Sequence, residues 1–248
     1  MIEVRDLKKS FGPNRILDGL SFEIPRGESL VIIGRSGGGK SVLLKHLIGL
    51  LMPDSGAVLI DGKNIVGMNE RELLSVRGKF GMLFQGAALF DSMTVAENVA
   101  FAFRHSPEMT VREIQSKVGE VLEMVDLPGT ENKKPSELSG GMRKRVGLAR
   151  AIIYHPEIVL YDEPTTGLDP IVSDSIDKLI LRVRDCLDVT TIVVTHDMRS
   201  ARTVGQRILM LHDKKVYAAA PTDQFFQSQD PVIRRFIDGV SDAKEHYF

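Results

Sequence analysis

The feature that most constrains this fold is a glycine-rich segment between an apolar run and a helix-forming stretch. The run Val31-Ile32-Ile33 is short and wholly β-branched, which is typical of a buried strand. The segment Gly34-Arg35-Ser36-Gly37-Gly38-Gly39-Lys40-Ser41 follows at once, and residues 40–50 then favour a helix. A strand, a G-x-x-x-x-G-K-S loop and a helix in this order predict a phosphate-binding loop within an α/β core.

Each residue type in this loop suits an anionic ligand. Glycines let the backbone turn closely and aim successive N–H groups inward, and the N-terminus of the next helix attracts negative charge. Lys40 is expected to reach the β- and γ-phosphates of a nucleoside triphosphate, and the Ser41 hydroxyl to ligate Mg²⁺. The expected nucleotide-binding residues here are Gly34, Arg35, Ser36, Gly37, Gly38, Gly39, Lys40, Ser41 and Val42. The alternatives are a plain glycine-rich turn and a solvated Lys40, which the strand–loop–helix context disfavours.

A second apolar run, residues 157–161, ends in two carboxylates. Ligands bind at the carboxyl ends of strands in an open parallel sheet, so Asp162 is expected to hold Mg²⁺ and Glu163 to orient or deprotonate the attacking water. The alternative is an ordinary acidic strand end before the turn at Pro164. The phosphate-binding loop upstream makes the catalytic interpretation the better one.

Two further strand-like runs end in polar residues that suit the same site. Residues 190–194 lead to His196, which can reach the γ-phosphate and hold the water and Glu163 in register, although a lone histidine is more often structural. Residues 80–84 lead to Gln85, whose neutral amide can contact Mg²⁺ or water. The predicted catalytic set is therefore Glu163, His196, Gln85 and Lys40, with Ser41, Gln85 and Asp162 at the metal.

A second glycine-rich segment, Leu138-Ser139-Gly140-Gly141-Met142, lies far downstream. Ser139 is a favourable N-cap residue, and the N-terminus of a helix that begins at Gly140 would attract an anion. One short chain rarely needs two such sites for one phosphate tail, so two copies that close each other's nucleotide sites are the simplest explanation. The same helix carries four cations, which either add positive potential or, for at least two of them, form a solvated face. They are Arg143, Lys144, Arg145 and Arg150.

These segments, in this order, resemble the nucleotide-binding subunits of ABC transporters. The first loop corresponds to Walker A, residues 160–163 to the end of Walker B, residues 138–142 to the family signature, Gln85 to the Q-loop and His196 to the switch histidine. The resemblance implies ATP and Mg²⁺ as cofactors. It also implies a head-to-tail homodimer with two ATP molecules at its interface.

The resemblance adds two residues to the nucleotide site and gives the signature its role. Asp169, in Gly167-Leu168-Asp169, corresponds to the D-loop aspartate, and Phe11 to the aromatic residue that stacks on adenine. The alternative for Phe11 is a core or surface side chain. Across the dimer, the γ-phosphate is expected to be contacted from the other subunit by Ser139, Gly140 and Gly141.

Residues 82–90, Met142 and the tail 230–239 are similar to the ATPases of Mla-type, MCE-associated phospholipid transporters. That similarity implies an integral-membrane permease as partner, an MCE-domain substrate-binding protein and a small accessory subunit. It places the chain peripherally on the cytoplasmic face of the inner membrane. The expected function is ATP hydrolysis that drives phospholipid transport. The alternatives are the ATPase of another ABC importer or exporter and a soluble ABC scaffold ATPase without a permease.

Composition excludes several other classes of protein. The formal net charge is −1 over 248 residues, so a nucleic-acid partner is not expected. The single cysteine, Cys186, cannot form an intramolecular disulfide framework. No apolar run approaches the length that spans a bilayer, so a membrane role is expected to come through a partner.

The layout predicts one ABC ATPase domain over residues 1–248, with a three-layer α/β, P-loop NTPase (RecA-like) core. Residues 1–86 are expected to hold an antiparallel β-subdomain and the first part of the core, and 87–155 a helical subdomain that carries the signature. Within 87–155 a capping box at Thr110 and Glu113 precedes an apolar helix face of Val111, Ile114, Val118, Val121, Leu122 and Val125. Residues 156–217 are expected to complete the core, and 218–248 to form a helical tail.

Overall fold

The architecture is built on two β-sheets, and the computed structural model describes residues 1–104 and 109–240 of the chain. The strands are β1 Ile2–Phe11, β2 Asn14–Ile24, β3 Ser29–Gly34, β4 Ser55–Ile60, β5 Lys63–Asn64, β6 Phe80–Leu83, β7 Ile158–Asp162, β8 Thr190–Val194, β9 Arg207–His212 and β10 Lys215–Pro221. In the described residues one sheet has the order β2-β1-β4-β5, and the other β10-β9-β3-β8-β7-β6. The first is antiparallel, as predicted for the β-subdomain.

The helices pack around the second sheet and extend beyond it. They are α1 Lys40–Leu47, α2 Glu70–Arg77, α3 Val95–Val99, α4 Val111–Met124, α5 Gly140–Ile152, α6 Pro170–Leu187, α7 Met198–Val204, α8 Thr222–Gln227 and α9 Pro231–Asp238. Helix α1 ends before the predicted residue 50 because Gly49 has a left-handed φ of 63°. Among residues 1–104 and 109–240, no helix combines the length and apolar character needed to cross a membrane.

The central sheet is parallel from β9 to β6, and only β10 pairs in the antiparallel direction. Its five parallel strands are largely buried, which explains their nearly continuous apolar runs. In β3, Leu30 and Ile32 face one core cluster, which includes the β-subdomain and α1. Val31 and Ile33 face the other, which includes α5 and α6. This alternation produces the three layers that the sequence predicts.

The helical subdomain lies between β6 and β7 in the chain. Thr110 and Glu113 form the predicted capping box at the start of α4. Val118, Val121, Leu122 and Val125 of the predicted apolar face are buried, as the helical spacing requires. The prediction that Val111 belongs to the buried face is wrong. Val111 lies at the beginning of the helix, where its side chain projects into solvent and is 73% exposed.

One predicted boundary needs correction. The division between residues 217 and 218 falls inside β10, which pairs with β9, so the core sheet continues to Pro221. The predicted tail then begins with α8 and α9. Residues 105–108 of the expected helical subdomain and 241–248 of the expected tail lie outside the described residues.

Candidate functional site

A cleft of about 330 Å³ opens at the carboxyl end of the central sheet. It is lined by Ser36, Gly37, Gly39, Lys40, Ser41, Val42, Gln85, Glu163 and His196. These residues follow β3, β6, β7 and β8, whose carboxyl ends all reach the same edge. Side chains that are up to 160 residues apart in sequence (Ser36 and His196) therefore share one cavity, as the strand-end argument predicts.

The glycine-rich loop is shaped by its glycines and by the strand beside it. Gly39 is the residue before α1 and has φ of 89°, a conformation that side-chain-bearing residues rarely adopt. A Cβ atom at this position would lie 2.7 Å from Cδ2 of Leu17 in β2. The loop can therefore follow this path, with α1 pointing its N-terminus at the cleft, only while this residue is glycine.

Lys40 is a buried cation whose partners are mainly neutral. Its Nζ donates to the carbonyl oxygens of Gly34 at 2.8 Å and Arg35 at 3.0 Å, and lies 4.0 Å from Oε1 of Glu163. Burial lowers the pKa of the Lys40 ammonium, and the carboxylates of Glu163 and Asp162 partly oppose that effect. A buried ammonium at the mouth of a glycine loop is suited to a phosphate, which would add the negative charge that this position lacks.

Ser41 and Asp162 meet at the base of the cleft. Ser41 donates its hydroxyl to Oδ1 of Asp162 at 3.1 Å. Burial raises the pKa of the Asp162 carboxyl, whereas the Ser41 hydrogen bond lowers it. A hydroxyl, a carboxylate and the nearby amide of Gln85 are hard oxygen donors of the kind that Mg²⁺ prefers. The described residues contain no group of three or more His, Cys, Asp or Glu that could hold a metal. Mg²⁺ usually takes few protein ligands together with phosphates and water, so the donor set of Ser41, Asp162 and Gln85 is suited to it.

Glu163 is held by several neighbours. Its backbone has a left-handed φ of 50°, and its N–H donates to the carbonyl of Val194 at 2.9 Å. Oε2 of its carboxylate accepts from the Thr166 hydroxyl at 3.0 Å and lies 2.8 Å from Nδ1 of His196. The carboxylate is 12% exposed, whereas the His196 ring is 56% exposed. This geometry suits a general base beside a phosphate, with a largely exposed imidazole as its partner. Sequence reasoning missed Thr166, which has no distinguishing local pattern.

The four cations of α5 do not form the solvated face that we expected for at least two of them. Only Arg143 is mainly exposed, and Lys144 is 6% exposed. Lys144 donates to the carbonyl oxygens of Gln85 and Glu163, Arg145 to Asp126, and Arg150 to the carbonyls of residues 87 and 88. A sequence signal for the burial of Lys144 did exist, because at helical spacing it shares a face with Gly141, Leu148 and Ala151, which are small or apolar and are buried.

The signature residues lie away from the cleft. Ser139 caps α5 by accepting from the N–H of Met142 at 3.3 Å. Gly140 and Gly141 instead lie against the D-loop region of the same chain. Cβ atoms added to these two glycines would come within 3.3 Å of Leu168 and 2.7 Å of Val172. The predicted anion site of the signature is therefore separate from the glycine-rich loop within one chain.

Asp169 and Phe11 are also outside the cleft. Asp169 caps α6, accepting from the N–H groups of Ile171 and Val172 at 3.0 Å each. Phe11 ends β1, is 48% exposed, and has Nζ of Lys9 at 5.6 Å from its ring centroid. Its exposed face is open to an aromatic ligand, so the core alternative for Phe11 is wrong.

Comparisons with known proteins agree with this geometry. The family model described as "ABC transporter" matches residues 17–166. The "Probable ribonucleotide transport ATP-binding protein mkl" of Mycobacterium leprae is 45% identical over 96% of this chain and 69% of its own. The "Intermembrane phospholipid transport system ATP-binding protein MlaF" of Haemophilus influenzae is 42% identical over 98% and 92%. A solved dimer of the ATP-binding cassette MJ0796, bound to ADP and Pi, is similar at a TM-score of 0.81 and 33% identity, over 90% of this chain and 99% of that one.

Proposed function

The chain belongs to the ABC transporter family as an ATP-binding cassette ATPase, and from this premise we propose that its cleft hydrolyses MgATP to drive phospholipid transport. The observation that carries the proposal is the position of Glu163. Its carboxylate is held by Thr166 and His196 at the edge of a cleft that also contains Lys40. That is the arrangement needed to place a water molecule opposite a phosphate.

The triphosphate would lie along the glycine-rich loop. Lys40 would exchange its carbonyl partners for the β- and γ-phosphates, and the N-terminus of α1 would face the same charge. Ser41, Asp162 and Gln85 would hold Mg²⁺, which neutralises charge that develops on the phosphates. Phe11 would stack on adenine through its exposed ring face. These assignments rest on the fit of the donor set and on the family to which the chain belongs.

Hydrolysis would depend on the carboxylate of Glu163. As a general base it accepts a proton from water, and the 2.8 Å contact with His196 orients it. His196 has a largely exposed ring, so it can turn towards a γ-phosphate and link that group to Glu163. The backbone N–H of Glu163 donates to the carbonyl of Val194, a contact that does not involve the side chain. The Glu163 side chain can therefore change its orientation while the end of β7 stays in place.

We further propose that two copies complete each other's site. Gly140 and Gly141 lie against Leu168 and Val172 of their own chain, and residues 139–141 do not line its cleft, so a second copy is needed to bring a signature to the γ-phosphate. The similar MJ0796 cassette is a dimer in its structure with ADP and Pi. ATP would then favour closure because it contacts both chains only in the closed state.

The proposed cargo and partners follow from the named relatives. MlaF belongs to an intermembrane phospholipid transport system, and the similarity covers 92% of its length. An integral-membrane permease, an MCE-domain protein and a small accessory subunit are the expected partners, at the cytoplasmic face of the inner membrane. The mycobacterial relative is named for ribonucleotide transport, which makes ribonucleotides the second candidate cargo.

An apolar patch beside the Q-loop supports a permease contact. Phe84, Phe90 and Phe101 are each more than a third exposed, and the last two rings lie 4.6 Å apart. Ala87 of the same segment is buried, so residues 87–90 divide between core packing and surface. Exposed aromatic side chains close together are typical of protein interfaces.

The hydrolysis proposal is tested with Glu163→Gln. This variant should bind ATP as the unaltered chain does, while kcat falls by about 100-fold or more. Lys178→Met is the matched control, because Lys178 is an exposed residue on α6 that lies outside the cleft. Equal ATP turnover by the Glu163→Gln variant would remove Glu163 from its role.

Dimer formation is tested in the Glu163→Gln background, where bound ATP persists. Size-exclusion chromatography with light scattering should show dimers when ATP is added. Adding Ser139→Arg should abolish them, while the melting temperature of the nucleotide-free protein falls by only the few degrees expected for loss of the Ser139 cap. Dimers that persist with the arginine in place contradict the proposal that each copy supplies its signature to the other.

The proposed cargo is tested by reconstitution. The ATPase reconstituted with its permease should transfer labelled phospholipid, and not labelled ribonucleotide, when ATP is supplied.

A further inference from the structure

Helix α5 presents two cations to the interior, Lys144 and Arg150, and within residues 1–104 and 109–240 neither has a carboxylate as a direct hydrogen-bond partner. Lys144 is 6% exposed, and its Nζ donates to the backbone oxygens of Gln85 and Glu163, the latter at 3.2 Å. Arg150 donates to the backbone oxygens of Ala87 and Ala88 at 2.7 Å each. Burying a charged side chain costs free energy unless it is well hydrogen-bonded, so these contacts are the reason that the cations can lie there.

One of the two backbones that Lys144 holds is itself unusual, and the other lies next to an unusual segment. Glu163 has φ of 50°, in a region that residues with side chains seldom occupy. Gln85 is followed closely by Ala87 and Ala88, whose φ values are 60° and 48°. Such conformations persist only where the surrounding structure holds them. An ammonium that accepts no bonds and offers three donors is well suited to hold two carbonyls at once.

The electrostatic environment is consistent with this role. Burial lowers the pKa of the Lys144 ammonium, and the carboxylates of Asp162 and Glu163 oppose that effect. The cation thus lies in the field of both acidic residues at the cleft while its direct bonds go to the main chain. Truncation of Lys144 would leave two partly buried carbonyls without this donor.

We propose that Lys144 is a positioning residue for hydrolysis, which aligns the backbones of Glu163 and Gln85 with the signature helix. The inference rests on the proposed role of Glu163 as base. Because Ser139 begins the same helix, any displacement of α5 would move the Lys144 ammonium and release the Glu163 carbonyl. The catalytic carboxylate is therefore aligned only while the signature helix is docked against the core.

Arg150 provides a comparison within the same helix. Its hydrogen bonds go to the Q-loop segment, at Ala87 and Ala88, and not to Glu163. If Lys144 acts through Glu163, its loss must affect the chemical step more than the loss of Arg150 does. If both cations only anchor the Q-loop, their losses should be alike.

The experiment uses the full chain with Lys144→Met, which keeps the length of the side chain and removes its charge and donors. Arg150→Met is the comparison and Lys178→Met the exposed control. Steady-state ATPase kinetics should show kcat lowered by about 10- to 100-fold for Lys144→Met, the loss expected for a charge-assisted hydrogen bond, with KM within about threefold. For Arg150→Met, the fall in kcat should be at least about threefold smaller.

A double variant separates positioning from a general structural effect. Single-turnover hydrolysis by Glu163→Gln should not slow further when Lys144→Met is added, because residues that act as one unit are not additive. A kcat for Lys144→Met within about twofold of that of the unaltered chain overturns the inference. The inference is also overturned if Lys144→Met slows single-turnover hydrolysis as much in the Glu163→Gln background as it slows hydrolysis in the unaltered chain. Equal losses for Lys144→Met and Arg150→Met also overturn it. If Lys144→Met does not fold, Lys144→Gln is judged by the same criteria.

The two proposals fail in different ways. If Glu163→Gln turns over ATP normally, the proposed catalytic role is wrong. If Glu163→Gln is inactive while Lys144→Met is fully active, only the inference about Lys144 is wrong.

Discussion

Asp177 should make the protein less stable as the pH rises above 5. Its side chain lies on α6 and is 2% exposed. Oδ2 accepts a hydrogen bond from the Ser200 hydroxyl at 2.8 Å, whereas Oδ1 has no hydrogen-bond partner in the part of the chain that the structure describes. Burial raises the pKa of this carboxyl to about 6, the charges of Asp197 and Asp174 add to the increase, and Ser200 and Arg199 oppose it.

The sign follows from the two states of the carboxyl. The folded protein holds the proton more tightly than the unfolded chain, so the stability that protonation contributes is present below pH 3.8 and is lost as the pH rises through about 6. The difference between about 6 and 3.8 corresponds to about 3 kcal/mol in total. Roughly 1.4 kcal/mol of that loss falls between about pH 5 and pH 8.

The assay is urea unfolding of the unaltered chain and of Asp177→Asn at several pH values from about 5 to 8. The stability of the variant relative to the unaltered chain should rise by roughly 1.4 kcal/mol across this range, because the amide does not ionise. Asp54→Asn is the control: a hydrogen bond from Lys9 lowers the pKa of Asp54, and Asp54 does not contribute to the shift of Asp177, so its replacement should bring no such gain. A stability difference between Asp177→Asn and the unaltered chain that stays constant with pH refutes the reasoning.

Two other predictions concern the loop and the core. Gly39→Ala places a Cβ atom 2.7 Å from Leu17 at a φ of 89°, so the loop should be displaced. ATP affinity should then fall by about tenfold or more while the nucleotide-free protein remains folded. Calorimetric titration with ATP measures this affinity, and an unchanged affinity contradicts the prediction. Arg207→Met removes bonds of 2.6 and 2.7 Å to Glu28 and one of 2.6 Å to the Glu23 carbonyl, in a largely buried pair. The free energy of unfolding should fall by about 1–3 kcal/mol in urea titrations, and a loss within experimental error would show that the pair is not structural.

Sequence patterns were sufficient for much of the candidate site. Gln85, Glu163 and His196 follow apolar runs, and such runs form parallel strands whose ends share an edge. The glycine loop was recognisable because φ values such as that of Gly39 restrict the residue type. The end of the core was not recognisable in the same way, since β10 is a short, alternating strand that is fixed by its pairing with β9.

The amino-acid sequence alone determined the local chemistry. Residue type and spacing identify the loop at 34–41 and the acidic strand end at 162–163, because the conformation of each segment depends on residues that are adjacent in sequence. The hydrogen-bond partners of Lys144 could not be predicted from the sequence, although its position on a buried face of α5 could be. A lysine exchanges water for carbonyl oxygens only where remote segments, here Gln85 and Glu163, are folded against it. The separation of Ser139 from the cleft has the same origin, since it depends on how α5 packs against α6 and the core.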